Sequence, residues 1–263
     1  MTTPVPDRDG FLREWSGLHG GYDATSGMWF VRRWLALVYR LGRPLAMRGI
    51  APTSITVAGM LLTSAMLPAA ASGGLFPLIA AMIVVGGGLL DNLDGCVAVL
   101  TRRVTPWGYV LDSLADRICD GFYIVAFWLL GAPGAACAAA GAAVGLLEYL
   151  RARAGNVGFA EIGVVTVGER PTRIIITVLT MVGASVDPGR AGLAGLAGAV
   201  ATATVCACGL VQLGTVVHRV LRTRPRPASA VAGGGLWAAA GLSGGEVGPA
   251  AGGRGDSGDG HGQ

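Results

Sequence analysis

Two consecutive apolar segments, about Leu75 to Leu100 and Trp107 to Leu130, are each long enough to cross a bilayer. Between them they carry four aspartates, Asp91, Asp94, Asp112 and Asp116. An ionised side chain at the bilayer centre costs roughly 2.5–3.5 kcal/mol even on the lenient insertion scale, so four of them cost about 10 kcal/mol if nothing offsets them. The chain must therefore fold so that these carboxylates share a compensating environment.

The rest of the composition agrees with a membrane setting. Of 263 residues, 52% are hydrophobic and 14% charged, far from a soluble globular balance. Only 6% are aromatic, and 44 are glycine, so helices can approach through small-residue faces, which favours an α-helical bundle over a barrel. The net charge is +4. Its arginines stand beside apolar segments and form no stripe interleaved with aromatics, which excludes a nucleic-acid surface and leaves anionic lipid as the expected neighbour. The five cysteines, Cys96, Cys119, Cys137, Cys206 and Cys208, lie in apolar runs without metal-site companions and read as small packing residues.

In chain order, residues 1–24 form a polar N-terminal segment without the apolar core of a secretory signal, so the N-terminus is expected in the cytoplasm. From Thr25 to Ile50, Trp29, Phe30, Trp34, Leu35, Leu37, Val38 and Leu41 alternate with Arg32, Arg33, Arg40, Arg43 and Arg48, the pattern of an amphipathic helix on a membrane surface. Six spans follow, at about Thr53–Ala71, Leu75–Leu100, Trp107–Leu130, Ala135–Ala154, Arg170–Ser185 and Ala191–Leu221. Thr53 and Ser54 are expected to cap the first, and Pro106 to open the third. The fold class expected is all-α: a polytopic membrane domain over residues 25–222, followed by a disordered Gly/Ala-rich tail over 223–263. With both ends on one side, Arg102, Arg103, Arg151, Arg153, Arg170 and Arg173 fall in cytoplasmic connections, whereas the opposite loops hold only Arg190. The aspartates then face the cytoplasmic half of the cell membrane.

Asp91 and Asp94 are three residues apart, and Asp112 and Asp116 four apart, so each pair projects from one helix face. A short loop makes the two helices antiparallel neighbours, and the pairs can converge at similar depth. Four carboxylates in one site cannot all stay ionised without cations. Oxygen-only ligands suit Mg²⁺ or Mn²⁺, and two such ions neutralise four aspartates and clamp a diphosphate. Gly95, Ala98 and Gly108 remove bulk where a bound nucleotide approaches the backbone.

The run Asp91-x-x-Asp94-Gly95-x-x-Ala98 followed by Gly108-x-x-x-Asp112-x-x-x-Asp116 resembles the signature of the CDP-alcohol phosphotransferases, membrane enzymes that move a phosphatidyl group from CDP-diacylglycerol to an alcohol and release CMP. The resemblance covers about residues 25–222. It implies that Asp91, Asp94, Asp112 and Asp116 bind two divalent ions, that Asp116 takes the proton of the acceptor hydroxyl, and that Gly95, Ala98, Gly108 and Thr53 lie at the CDP site. Related enzymes are commonly homodimers, which the small-residue faces here permit. Two positions depart from the family: Val99 stands where it has Arg, with Arg102 and Arg103 the nearest cations, and Thr53 stands in its Pro-Asn-x-x-Thr stretch.

Glu148-Tyr149-Leu150-Arg151-Ala152-Arg153-Ala154 and Gly168-Glu169-Arg170-Pro171-x-Arg173 resemble segments of the branch that makes phosphatidylinositol phosphate from inositol phosphate. Arg151, Arg153, Arg170 and Arg173 are then expected to bind the acceptor's phosphate, guanidinium being suited to bidentate phosphate contacts. That branch also carries an Arg soon after a Val-Gln in its last span, where this chain has Leu213 after Val211-Gln212. Glycerol phosphate is the second acceptor in order. A transporter also places aspartates in the membrane but is built from internal repeats, and the second half shows no repeat of the Asp-containing segment. An inactive lipid-binding relative is the remaining alternative, with Val99 its one motivation.

Overall fold

The computed structural model describes residues 6–18, 29–156 and 165–223. The expected C-terminal tail lies almost wholly outside the described residues, and so does the start of the expected surface helix. Among the described residues the chain is helical throughout: α1 (Arg8–Leu18), α2 (Trp29–Met47), α3 (Pro52–Ser64), α4 (Met66–Ala71), α5 (Phe76–Thr101), α6 (Pro106–Leu129), α7 (Gly134–Ala154), α8 (Arg170–Val186) and α9 (Ala191–Thr223), with a 3₁₀ turn at Pro188–Arg190.

By length and apolar composition four stretches can cross a membrane: Pro52–Ala71, Phe76–Thr101, Gly134–Ala154 and Pro188–Arg222. Two of the six expected spans do not meet that measure. α6 carries Asp112, Asp116, Arg117 and Asp120, and α8 has only 17 residues. The first span is also not one helix, because α3 and α4 meet at a turn on Ala65. Nor do Thr53 and Ser54 cap it. Ala51 occupies the cap position without a side-chain bond, and Pro52, which lacks an N–H to satisfy, is the first helical residue. At α6 the expectation holds: Pro106 opens the helix, and Thr105 Oγ1 accepts from Gly108 N at 3.0 Å. The Ser72-Gly73-Gly74 turn places both glycines at positive φ, 67° and 57°, which side chains rarely adopt.

α5 is the hub, packing against α1, α2, α3, α4 and α8. Glycine permits its closest approach to α3, since a Cβ at Gly87 would overlap Thr63 Oγ1. One apolar cluster, around Met66, Val84, Tyr123, Phe127 and Met181, fills the bundle. A second, around Val144, Leu147, Cys206 and Leu213, joins α7 to α9.

A third includes residues that precede the expected boundary at residue 25. The segment read as merely polar contains α1, whose Gly10 N donates to Asp7 Oδ1 at 2.8 Å as a helix cap. Phe11 is fully buried, its ring 5.6 Å from that of Tyr39, and with Leu12 it packs among Leu35, Val38, Leu93, Cys96 and Val97. Phe11 and Leu12 dock this short helix against α2 and α5. On α2, Leu35, Val38 and Ala46 are buried, whereas Trp29, Trp34, Leu37, Leu41 and Met47 remain exposed.

Candidate metal centre and its arginine neighbours

α5 and α6, joined by a short connection and both packed on α3, bring Asp91, Asp112 and Asp116 together, one oxygen of each lying within 4.8 Å of the others. The four-residue spacing puts Asp112 and Asp116 on one face of α6, and Asp91 meets them from α5. Asp94, one turn along α5, lies outside this trio. It is buried at 6% exposure and accepts a 2.6 Å hydrogen bond from Thr56 Oγ1 of α3 on its Oδ2. A cavity lined by Thr56, Thr63, Asp91, Asp94, Cys119 and Arg170 connects the two carboxylates on α5. Three of the four expected ligands thus converge, and the fourth is held beside them by a hydroxyl.

Arg170 completes the group. Its Nη1 pairs with both Asp91 Oδ1 and Asp116 Oδ1, so a single nitrogen stands between the two helices that carry the aspartates. The arginine expected with the acceptor-binding set instead faces the carboxylates.

Arg117, Arg151 and Arg173 form an ionic network between α6, α7 and α8, which touches the aspartate trio where Arg117 Nη2 lies 3.8 Å from Asp116 Oδ2. Glu148 is its centre: its carboxylate is met by Arg117 at 3.1 Å, Arg173 at 2.9 Å and Arg151 at 3.4 Å. Asp120 takes Arg117 at 3.2 Å and Arg173 at 3.1 Å, and Glu169 takes Arg151 at 2.7 Å. Arg173, with its side chain 3% exposed, also donates to Gly168 O at 3.0 Å. Among the described residues Arg153 has no carboxylate partner; its Nε donates to Tyr149 Oη at 3.0 Å and its guanidinium lies over that ring.

The residues expected at the nucleotide site lie along the same end of α5 and α6. Gly95 is exposed, and a Cβ there would meet nothing within 4 Å, so its Cα borders open space. Gly108 is engaged in the α6 cap, and Ala98 and Thr53 are partly exposed. Val99 is buried at 6% in the cluster with Phe11 and Val38, so an arginine at this position would enter an apolar environment. Arg102 and Arg103 are exposed beyond the helix end, Arg102 in the left-handed region at φ 55°.

Thr56 is a participant that the sequence reading did not single out, and Glu148 entered it only as part of the arginine-rich segment. Asp120 had a visible signal, since it extends the Asp112/Asp116 stripe by one more turn of four. Thr56 had none in spacing, because its partner is 38 residues away on another helix.

The profile of the CDP-alcohol phosphatidyltransferase family matches residues 49–210, which covers α3 to α8 and most of α9. The archaetidylinositol phosphate synthase of Methanothermobacter thermautotrophicus is 35% identical over 142 residues, 53% of this chain and 71% of that one. The synthase of the same name from Pyrococcus horikoshii is 37% identical over 81 residues, 31% of this chain and 42% of that one. Among solved structures, the Mycobacterium tuberculosis phosphatidylinositol phosphate synthase with CDP-DAG bound superposes with a TM-score of 0.56 at 26% identity, covering 69% of this chain and 94% of that one. The same enzyme in complex with manganese and citrate gives 0.58 at 24% identity, covering 69% and 88%.

Proposed function

This chain belongs to the CDP-alcohol phosphatidyltransferase family, and from that premise we propose that it transfers a phosphatidyl group from CDP-diacylglycerol to inositol phosphate, releasing CMP. The observation that carries the reading is the convergence of Asp91, Asp112 and Asp116 from two helices. Glycerol phosphate is the next acceptor in order. The names of the archaetidylinositol phosphate synthases favour the inositol compound, and so does the wealth of guanidinium on α7 and α8.

The trio fits a divalent metal on its chemistry: three hard oxygen donors, partly buried, at mutual distances that one ion can bridge, and already attracting a cation in Arg170. Two ions, Mg²⁺ or Mn²⁺, are proposed for Asp91, Asp94, Asp112 and Asp116, where they supply charge neutralisation to a diphosphate. The chain's own residues do the rest. Thr56 fixes the rotamer of Asp94. Gly95 leaves its Cα open to the nucleotide, with Thr53, Ala98 and Gly108 as neighbours along the same helix ends. Asp116 accepts the proton of the acceptor hydroxyl as its oxygen attacks the phosphorus that bears the diacylglycerol, and the bond to the CMP phosphate breaks. Arg151, Arg153, Arg170 and Arg173 form cationic surroundings for the acceptor's phosphate.

The membrane arrangement belongs to the same proposal. α6 and α8 complete six spans in the cell membrane, since Asp116 and Asp120 of α6 meet arginines and about 25 Å of helix in α8 nearly spans the hydrocarbon. α2 lies on the surface with its exposed tryptophans toward lipid, the catalytic face and both termini are cytoplasmic, and the active form is a homodimer. The membrane domain runs from α1 through residue 222, with the Gly/Ala-rich tail after it.

Membranes containing the protein, given labelled CDP-diacylglycerol and Mn²⁺, release CMP with inositol phosphate and much less with glycerol phosphate, inositol or serine. Absence of CMP with all four sinks the proposal.

A further inference from the structure

We infer that Arg170 is the resident counter-ion of the carboxylate trio and that a divalent cation must displace it, so that metal loading frees one guanidinium for the anionic acceptor. The inference rests on the metal reading above and goes beyond it in assigning an order of events to this chain's own residue.

Geometry supplies the first argument. Nη1 of Arg170 touches an oxygen of Asp91 on α5 and an oxygen of Asp116 on α6, two of the three oxygens that lie within 4.8 Å of one another. A cation bridging the helices needs those same oxygens, and two cations cannot share them at that range without strong repulsion. Occupancy is therefore competitive.

Charge gives the second. The four aspartates carry four negative charges and Arg170 offsets one; two divalent ions offset all four and leave the guanidinium in excess. A cation expelled from one site gains most by pairing with an anion nearby. In the adjacent network Arg117, Arg151 and Arg173 are already paired with Asp120, Glu148 and Glu169, and only Arg117 also reaches the centre, 3.8 Å from Asp116, so Arg170 is the cation that displacement releases.

Position gives the third. Arg170 is the first residue of α8, directly after a connection that runs from the end of α7, and only three residues before Arg173. Its Nε is buried without a hydrogen-bond partner, so the guanidinium is held by the aspartates through one end alone. Loss of Nη1's carboxylates leaves nothing else among the described contacts to keep it there.

The coupling is reciprocal, so an anion that draws Arg170 away must tighten metal binding by the factor with which metal tightens anion binding. The test is Mn²⁺ binding followed by electron paramagnetic resonance on the full chain in detergent, without CDP-diacylglycerol, with and without inorganic phosphate. In the wild type, phosphate lowers the Mn²⁺ dissociation constant several-fold. In Arg170→Gln the constant without phosphate falls by at least about tenfold, the low end of what a neighbouring guanidinium does to cation binding at a carboxylate, and phosphate no longer changes it. Arg170→Lys keeps the competing charge and stays near the wild-type constant, which a merely structural role does not explain.

An Arg170→Gln protein that folds and binds Mn²⁺ no more tightly than wild type overturns the inference, as does phosphate coupling that persists in it. The wild-type phosphate titration reads the coupling even where a variant fails to fold, and no coupling there overturns it too. Absence of Mn²⁺ binding in every protein removes the metal reading and the inference together. Tighter binding in Arg170→Gln with no CMP release by the wild type leaves the inference standing and removes the transferase reading alone.

Discussion

The two polar regions of this membrane protein differ in how their charges are balanced. Around Asp91, Asp112 and Asp116 three carboxylates cluster, with Arg170 pairing with two of them and Arg117 3.8 Å from Asp116. Around Glu148 three acids meet three arginines, with Arg173 almost wholly buried among them. A region with excess charge of one sign is built to bind the other, whereas a balanced network holds helices together. The difference separates a cation-binding centre from a charge-matched network within one bundle, although both regions use the same residue types at the same helix ends.

The largest effect expected is on turnover. Asp116→Asn keeps the side chain's size but cannot take a proton, and CMP release should fall by about 10²–10⁴-fold. Mn²⁺ binding retained by that variant separates its role as base from its role as ligand.

The comparison itself is broken or kept by a pair of substitutions read in thermal unfolding of detergent-solubilised protein without metal. Glu148→Gln leaves Arg117, Arg151 and Arg173 short of their shared partner and should cost about 3 kcal/mol. Asp112→Asn removes one of the crowded like charges and should leave the melting temperature unchanged or higher, while weakening Mn²⁺ binding about tenfold or more. Equal destabilisation by both substitutions would erase the distinction between the regions.

A smaller effect tests the link between α3 and the centre. Thr56→Val deletes the hydroxyl that donates to Asp94 Oδ2 and should cost about 1–3 kcal/mol of stability, with activity reduced about 10–100-fold. An unchanged rate of CMP release would show that Asp94 needs no such support.

Much of this was legible in the sequence, because it rests on short-range periodicity. The spacing of Asp112 and Asp116 places both on one face of α6, and the four-residue connection before it keeps α5 close enough for Asp91 to meet them. The bounds expected for α5 to α9 hold to within a residue or two. What was hidden depends on contacts between distant segments. Thr56 reaches Asp94 across 38 positions, and Arg170 reaches Asp91 across 79. No local pattern distinguishes an arginine that meets a substrate from one that meets an aspartate, so Arg170 and Arg173 read alike in the sequence and occupy different surroundings in the fold. α1 was missed for another reason: Phe11 and Leu12 are too few to stand out from a polar segment until Tyr39 and Leu93 are placed beside them.

The central claim is that Asp91, Asp112 and Asp116 hold a divalent cation in place of Arg170. Anomalous diffraction at the manganese edge from crystals grown with Mn²⁺ tests it most directly. The account predicts a peak about 2.1 Å from an oxygen of each aspartate, with the Arg170 guanidinium moved off Asp91 and Asp116. A structure with no peak there and Arg170 still bridging the two aspartates would contradict it.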